Sequence, residues 1–194
     1  MNIKPFAVEE WMNTWEENAV YNIAETCVDS ISLEEFAQLI GEAPASLADE
    51  LMKLRLTYGH IVGRPAYKEG IASLYRHIEP KHIVPTHGAA GANYHVFLSL
   101  IKPGDHVVSI APTYQQLYEI PASLGASVSV VRLRKENSYL PDLNELEQAI
   151  TPKTTMICLN NPNNPTGALM DETMLHDIVS MAQRHGLWIL CDEV

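Results

Sequence analysis

The eight residues Asn160-Asn161-Pro162-Asn163-Asn164-Pro165-Thr166-Gly167 constrain this chain more than any other stretch. They follow the apolar run Thr155-Met156-Ile157-Cys158-Leu159. Proline removes a ladder donor and restricts the residue before it, so a buried strand must end here. In open α/β sheets, a rigid polar turn at the carboxyl end of a buried strand is where ligands bind, and its amides suit a planar, anionic molecule. A turn that only reverses the chain is the simpler alternative.

Around this turn the chain alternates strand and helix. From Lys81 onward the pattern predicts strands over 83–87, 106–111, 127–133, 155–160 and 187–191, separated by helices, which points to a parallel sheet covered on its faces. Asp142 with Glu145 and then Asp171 predict helix starts, the second helix running to His185. Before Lys81 the sequence reads as loop and helix. Trp11 and Trp15 lie one turn apart in an amphipathic segment over 7–18, read as a docking arm laid against a partner surface. Ser32 and Glu35 form a capping box for a helix that Gly41 ends, Ser46 and Asp49 repeat that signal, and Pro65 opens a helix with Ile71, Leu74, Tyr75 and Ile78 on its apolar face.

Composition narrows the partners. A formal charge of −11 over 194 residues, with no block of Lys or Arg, argues against a nucleic-acid or anionic membrane surface. Cys27, Cys158 and Cys191 are widely spaced and form no CxxC, so they read as reduced thiols of a cytoplasmic protein, and no metal is expected. The eight histidines show no HExxH spacing. No apolar run approaches membrane-spanning length, and the opening residues lack a signal-peptide core.

If the strands are parallel, Gly88-Ala89-Ala90, Tyr114, Asn164 and Asp192 gather on one rim. Small residues at a helix start expose backbone N–H groups, so Ala89 and Ala90 suit a phosphate, although close helix packing explains them as well. The segment lacks both GxGxxG and a P-loop lysine, which disfavours a dinucleotide or a nucleoside triphosphate. Tyr114 offers a face for a heterocycle, or only a packing surface. Asp192 ends the apolar run Trp188-Ile189-Leu190-Cys191, so its carboxylate should face a cation or donors; capping the next loop is the alternative.

Together Tyr58-Gly59, Thr86-His87-Gly88-Ala89, Pro103-Gly104-Asp105, Pro112-Thr113-Tyr114, Asn161-Pro162-Asn163-Asn164-Pro165-Thr166-Gly167 and Cys191-Asp192-Glu193 resemble the amino-terminal part of the class I/II aminotransferases, fold-type I enzymes that use pyridoxal 5'-phosphate. The resemblance implies a three-layer α/β sandwich around a mainly parallel sheet, incomplete in this chain. It implies that 1–50 form an amino-terminal arm and part of a small domain, and that 51–194 begin the large cofactor-binding domain. By resemblance, Gly88, Ala89 and Ala90 hold the cofactor phosphate and Tyr114 stacks on the ring. Asn164 bonds the phenolic oxygen and Asp192 pairs with the pyridinium nitrogen. Tyr58 reaches the phosphate of a neighbouring subunit, which implies a homodimer, and Ala24 lies in a segment that touches substrate. The implied reaction moves an amino group between an amino acid and a 2-oxo acid. The same scaffold also supports carbon–sulfur lyases, decarboxylases and non-catalytic binding or regulatory proteins.

The resemblance also sets expectations about what Val194 leaves out. The Schiff-base lysine and the substrate-gripping arginine of such enzymes fall beyond it, and no lysine in the sequence matches the family position. The expectation is that these residues are a segment of a longer enzyme, inactive and not competently folded alone, with strand 83–87 deprived of its neighbours.

Overall fold

The computed structural model describes residues 3–24 and 27–194. Its contacts divide the chain into two compact units, one formed by 1–24 with 86–194 and the other by 25–85.

The first unit is built on a four-stranded sheet in the order β2-β1-β3-β4. The strands are β1 (His106–Ala111), β2 (Ser127–Arg132), β3 (Thr154–Asn160) and β4 (Trp188–Asp192). All three ladders are parallel. Because the chain leaves β1 for β2 on one side and returns with β3 on the other, the order reverses between β1 and β3. That reversal opens a crevice at the carboxyl ends of those two strands.

Period-2 alternation gives the central strands β1 and β3 two apolar faces. Val107, Met156, Cys158 and Leu190 join Phe97, Leu117 and Ile120 in one core cluster. These last three come from α5 (Gly88–Leu100) and α6 (Gln116–Ser123). Val108, Ile110, Ile157 and Leu159 face the other way and meet Leu146, Ile178 and Met181. Their partners come from α7 (Leu143–Gln148) and α8 (Glu172–His185). Layers of helix, sheet and helix result, and every central strand is buried on both sides.

Local chemistry explains the helix ends. Asp142 caps α7 through the N–H groups of Asn144 and Glu145, and Asp171 caps α8 through that of Met174. Gly186, at φ +67°, ends α8 in the left-handed conformation. The helix α1 (Ala7–Trp15) buries none of its residues, and Trp11 and Trp15 are exposed. Its approach segment is tied to α6 by Gln115, which donates from Nε2 to the Pro5 carbonyl at 3.0 Å and accepts from the Ala7 N–H at 3.2 Å.

The second unit holds α2 (Leu33–Leu39), α3 (Pro44–Lys53) and α4 (Pro65–Ala72). The Ser32–Glu35 capping box forms as predicted. Three expectations are corrected. Residues 83–87 form no strand: Pro85 brings no ladder donor, and no strand among the described residues runs beside them. Ser46 and Asp49 lie inside α3, which begins at Pro44, because proline at the first helical position sets φ ahead of any side-chain cap. The helix α4 stops at Ala72, leaving Leu74 outside it and exposed. Among the described residues no helix is long and apolar enough to cross a membrane.

Candidate functional site

A cavity of about 200 Å³ opens at the carboxyl ends of β1, β3 and β4. Ala89, Ala90, Tyr114, Asn160, Asn164, Asp192 and Val194 line it. Five of the predicted site residues, Ala89, Ala90, Tyr114, Asn164 and Asp192, therefore meet in one place. They come from α5, from the loop after β1, from the turn after β3 and from the end of β4.

The turn after β3 is pinned by its own asparagines. Asn160 pairs in register with Asp192 across the β3–β4 ladder, and its Nδ2 donates to the Asp192 carbonyl at 2.9 Å. Its Oδ1 accepts from the Asn164 backbone N–H, which fixes where Asn164 begins. Asn161 accepts from the Met170 N–H at 2.8 Å. Asn163 donates to the Pro112 carbonyl at 3.1 Å and accepts from the Thr166 hydroxyl at 2.6 Å, tying this turn to the one that carries Tyr114. Gly167 supplies φ +72°, a conformation side chains rarely adopt. The Pro-Asn stretch is thus a rigid shelf, and Asn164 is the residue it presents to the cavity.

On the opposite wall, Gly88 enters α5 at φ +70°, and the His87 side chain makes no cap hydrogen bond. Ala89 and Ala90 are exposed and carry only a methyl group, so a ligand can approach the first-turn N–H groups of the helix closely. Tyr114 is half-buried. The edge of Phe6 meets its ring at 5.7 Å between centroids, and its hydroxyl donates to Glu9 at 3.3 Å. Burial, and then the Glu9 carboxylate, push the Tyr114 phenol above the usual tyrosine range, so it stays protonated at neutral pH.

Asp192 is 7% exposed. Its Oδ2 accepts from Asn93 at 2.8 Å and its Oδ1 from the Val194 N–H at 3.1 Å. Both donors are neutral, and Asp192 makes no ion pair among the described residues. A buried carboxylate without a cationic partner on the wall of a cavity suits a ligand that brings a positive charge. With an anion site at a helix start, an aromatic face and an amide shelf, this arrangement fits pyridoxal phosphate: an anionic ester, a flat ring and a nitrogen that can carry a proton.

The other predicted residues are not among the lining residues. Gly88 precedes the lining residues without being one of them. Ala24 is exposed and does not line the cavity, and Tyr58 belongs to the second unit, where its side chain is exposed. Sequence reasoning missed Asn93 and Gln116, and it named Asn160 only as part of the turn. Neither Asn93 nor Gln116 left a signal that separates a buried amide from a solvated one.

A parallel sheet reversing beside such a cavity defines an α/β architecture whose cavity lies at the strand ends. Residues 34–194 match the family described as aminotransferase class I and II, and the chain belongs to that family. A PLP-dependent aminotransferase from Streptococcus suis has a similar structure, with a TM-score of 0.96 and 49% identity over 100% of this chain and 52% of its own. An aspartate aminotransferase from Pyrococcus horikoshii is 35% identical over 136 residues, which is 68% of this chain and 35% of that protein. Capreomycidine synthase from Streptomyces vinaceus is 33% identical over 186 residues, 93% of this chain and 47% of that protein. The chain thus spans between about a third and a half of the length of these curated relatives.

Proposed function

We propose that this chain forms the cofactor seat of an aminotransferase that moves an amino group between an amino acid and a 2-oxo acid, with pyridoxal phosphate as cofactor. The observation that carries this reading is the cavity that joins a helix start, an aromatic face, an amide shelf and the buried Asp192 carboxylate. Bound there, pyridoxal phosphate supplies a carbonyl carbon that takes up an amino group and a ring that withdraws electrons from the substrate.

The residues have distinct tasks. Asp192 holds a proton at the ring nitrogen through a charge-assisted hydrogen bond, for which its lack of an ion-pair partner among the described residues leaves it available. Asn164 donates from its amide to the phenolic oxygen and orients it without protonating it. The N–H groups at Gly88, Ala89 and Ala90 bind the phosphate and anchor the ring. Tyr114 covers one ring face and keeps water from it. Tyr58 serves a neighbouring subunit in a homodimer, and Ala24 lies beside the substrate.

Titration of the intact protein with pyridoxal phosphate tests the seat. Wild type binds saturably, and Asp192→Ala weakens binding roughly 10- to 100-fold, the worth of one hydrogen bond to a charged group. Equal affinity in the two proteins contradicts the assignment. Turnover is tested with amino acids and 2-oxo acids in pairs, where a new amino acid and a new oxo acid must appear in equal amounts. Release of ammonia or carbon dioxide instead would indicate a lyase or a decarboxylase, and binding without turnover a regulatory protein.

A further inference from the structure

Asn93, Gln116 and Asp192 are each more than nine-tenths buried and form one connected chain of polar groups. Gln116 donates from Nε2 to the Ala90 carbonyl at 2.8 Å. Its Oε1 accepts from Asn93 Nδ2 at 3.2 Å, and the same Asn93 nitrogen donates to Asp192 Oδ2 at 2.8 Å. The two N–H bonds of the Asn93 amide are therefore both used, one on each neighbour.

The sense of every amide along this path is determined. The Ala90 carbonyl only accepts, so the Gln116 nitrogen must face it and the Gln116 oxygen must face Asn93. A carboxylate likewise only accepts, so Asn93 must point its nitrogen at Asp192. Turning either amide over would set two acceptors against each other in a buried place, at a cost of about 1–3 kcal/mol for each group left unsatisfied. The carboxylate is held on one oxygen from α5 and on the other by the Val194 N–H. Two of about four acceptor positions are filled, which leaves capacity for a donor from the cavity.

From this geometry we infer that Asn93 is the positioning residue for the Asp192 carboxylate, with Gln116 setting the direction of its amide. The path joins the two ends of the seat: Ala90 at the helix start and Asp192 at the sheet end share one run of hydrogen bonds. The inference rests on the functional reading given above, and it adds the residue that orients the carboxylate toward the ring nitrogen. Asn93 acts through Asp192, with no contact to the ligand of its own.

Pyridoxine 5'-phosphate is a suitable probe, since it lacks the aldehyde and binds without covalent chemistry. Its affinity for the intact protein is measured for wild type, Asn93→Leu, Asp192→Ala and the double variant, with a pH series for Asn93→Asp. Asn93→Leu keeps the branched heavy-atom framework and removes the donor, and the expected loss is about 10-fold. In the Asp192→Ala background the same change has no further effect, because its target is gone. Asn93→Asp is isosteric, gives the hydrogen bond while protonated and repels Asp192 when ionised. Its affinity relative to wild type is therefore near one at about pH 5 and falls steadily toward about pH 8. Equal losses from Asn93→Leu with and without Asp192, or a flat Asn93→Asp ratio across pH, overturn the inference and reduce Asn93 to packing. Should Asn93→Leu fail to fold, the Asn93→Asp profile decides alone. If Asp192→Ala binds the probe as well as wild type does, the reading of the cavity itself fails and this inference with it.

Discussion

At the scale of single residues, burial decides which polar groups are fixed and which are free to act. His106 opens β1 with its ring clamped between two hydroxyls, Nδ1 to Thr154 Oγ1 at 2.7 Å and Nε2 to Ser129 Oγ at 2.9 Å. Burial lowers its pKa below the ordinary value of 6.5. A group whose folded pKa is depressed binds more protons when unfolded, so folding is favoured above the ordinary histidine range. That stability is lost as the pH falls from about 6.5 toward the lowered folded value. Chemical denaturation across this window should show wild type weakening as acid is added and His106→Asn weakening less. Asp192 was legible as a residue needing a partner because a carboxylate ends an apolar run. Asn93 and Gln116 were not, because an asparagine in a helix reads the same whether it faces water or a buried anion. Only the three-dimensional approach of α5 to the end of β4 separates the two cases.

At the scale of elements, the sequence signals that worked are those whose physics is local. Asp171 accepts from the Met174 N–H at 2.8 Å, Glu172 stands in the first turn, and Arg184 with His185 occupies the last, each on the favourable end of the helix dipole. Asp171→Ala should cost about 1 kcal/mol, read as a lower denaturation midpoint with an unchanged slope. The four strands formed near their predicted bounds because each is an apolar run closed by turn residues. Residues 83–87 carry a similar pattern and form none, since a strand exists only by pairing and composition does not supply the partner. The displaced start of α3 has the opposite lesson: Ser46 and Asp49 are good caps, but Pro44 had already begun the helix.

At the scale of the molecule, the sheet divides two cores that share no side chain. Phe97 fills one and Leu146 the other, and both are fully buried. Phe97→Ala should cost about 3–5 kcal/mol and Leu146→Ala about 2–5 kcal/mol, measured by equilibrium unfolding of the intact protein. Since the two lie in separate layers, the double variant should lose the sum to within about 0.5 kcal/mol. Alternation of strand and helix made the α/β class and its parallel sheet readable. The reversal between β1 and β3, which creates the crevice, was not readable from any motif, because strand order depends on which strands pair. Phe6 and Glu9 rest on Tyr114, so the segment from Phe6 to Glu9 acts as a brace behind the aromatic wall. A fusion, a cleavage or a binding protein that pulled this brace away would loosen a ring more than one hundred positions along the chain and raise the mobility of whatever lay against it. The segment from Phe6 to Glu9 is in this sense a tuning screw on the cavity.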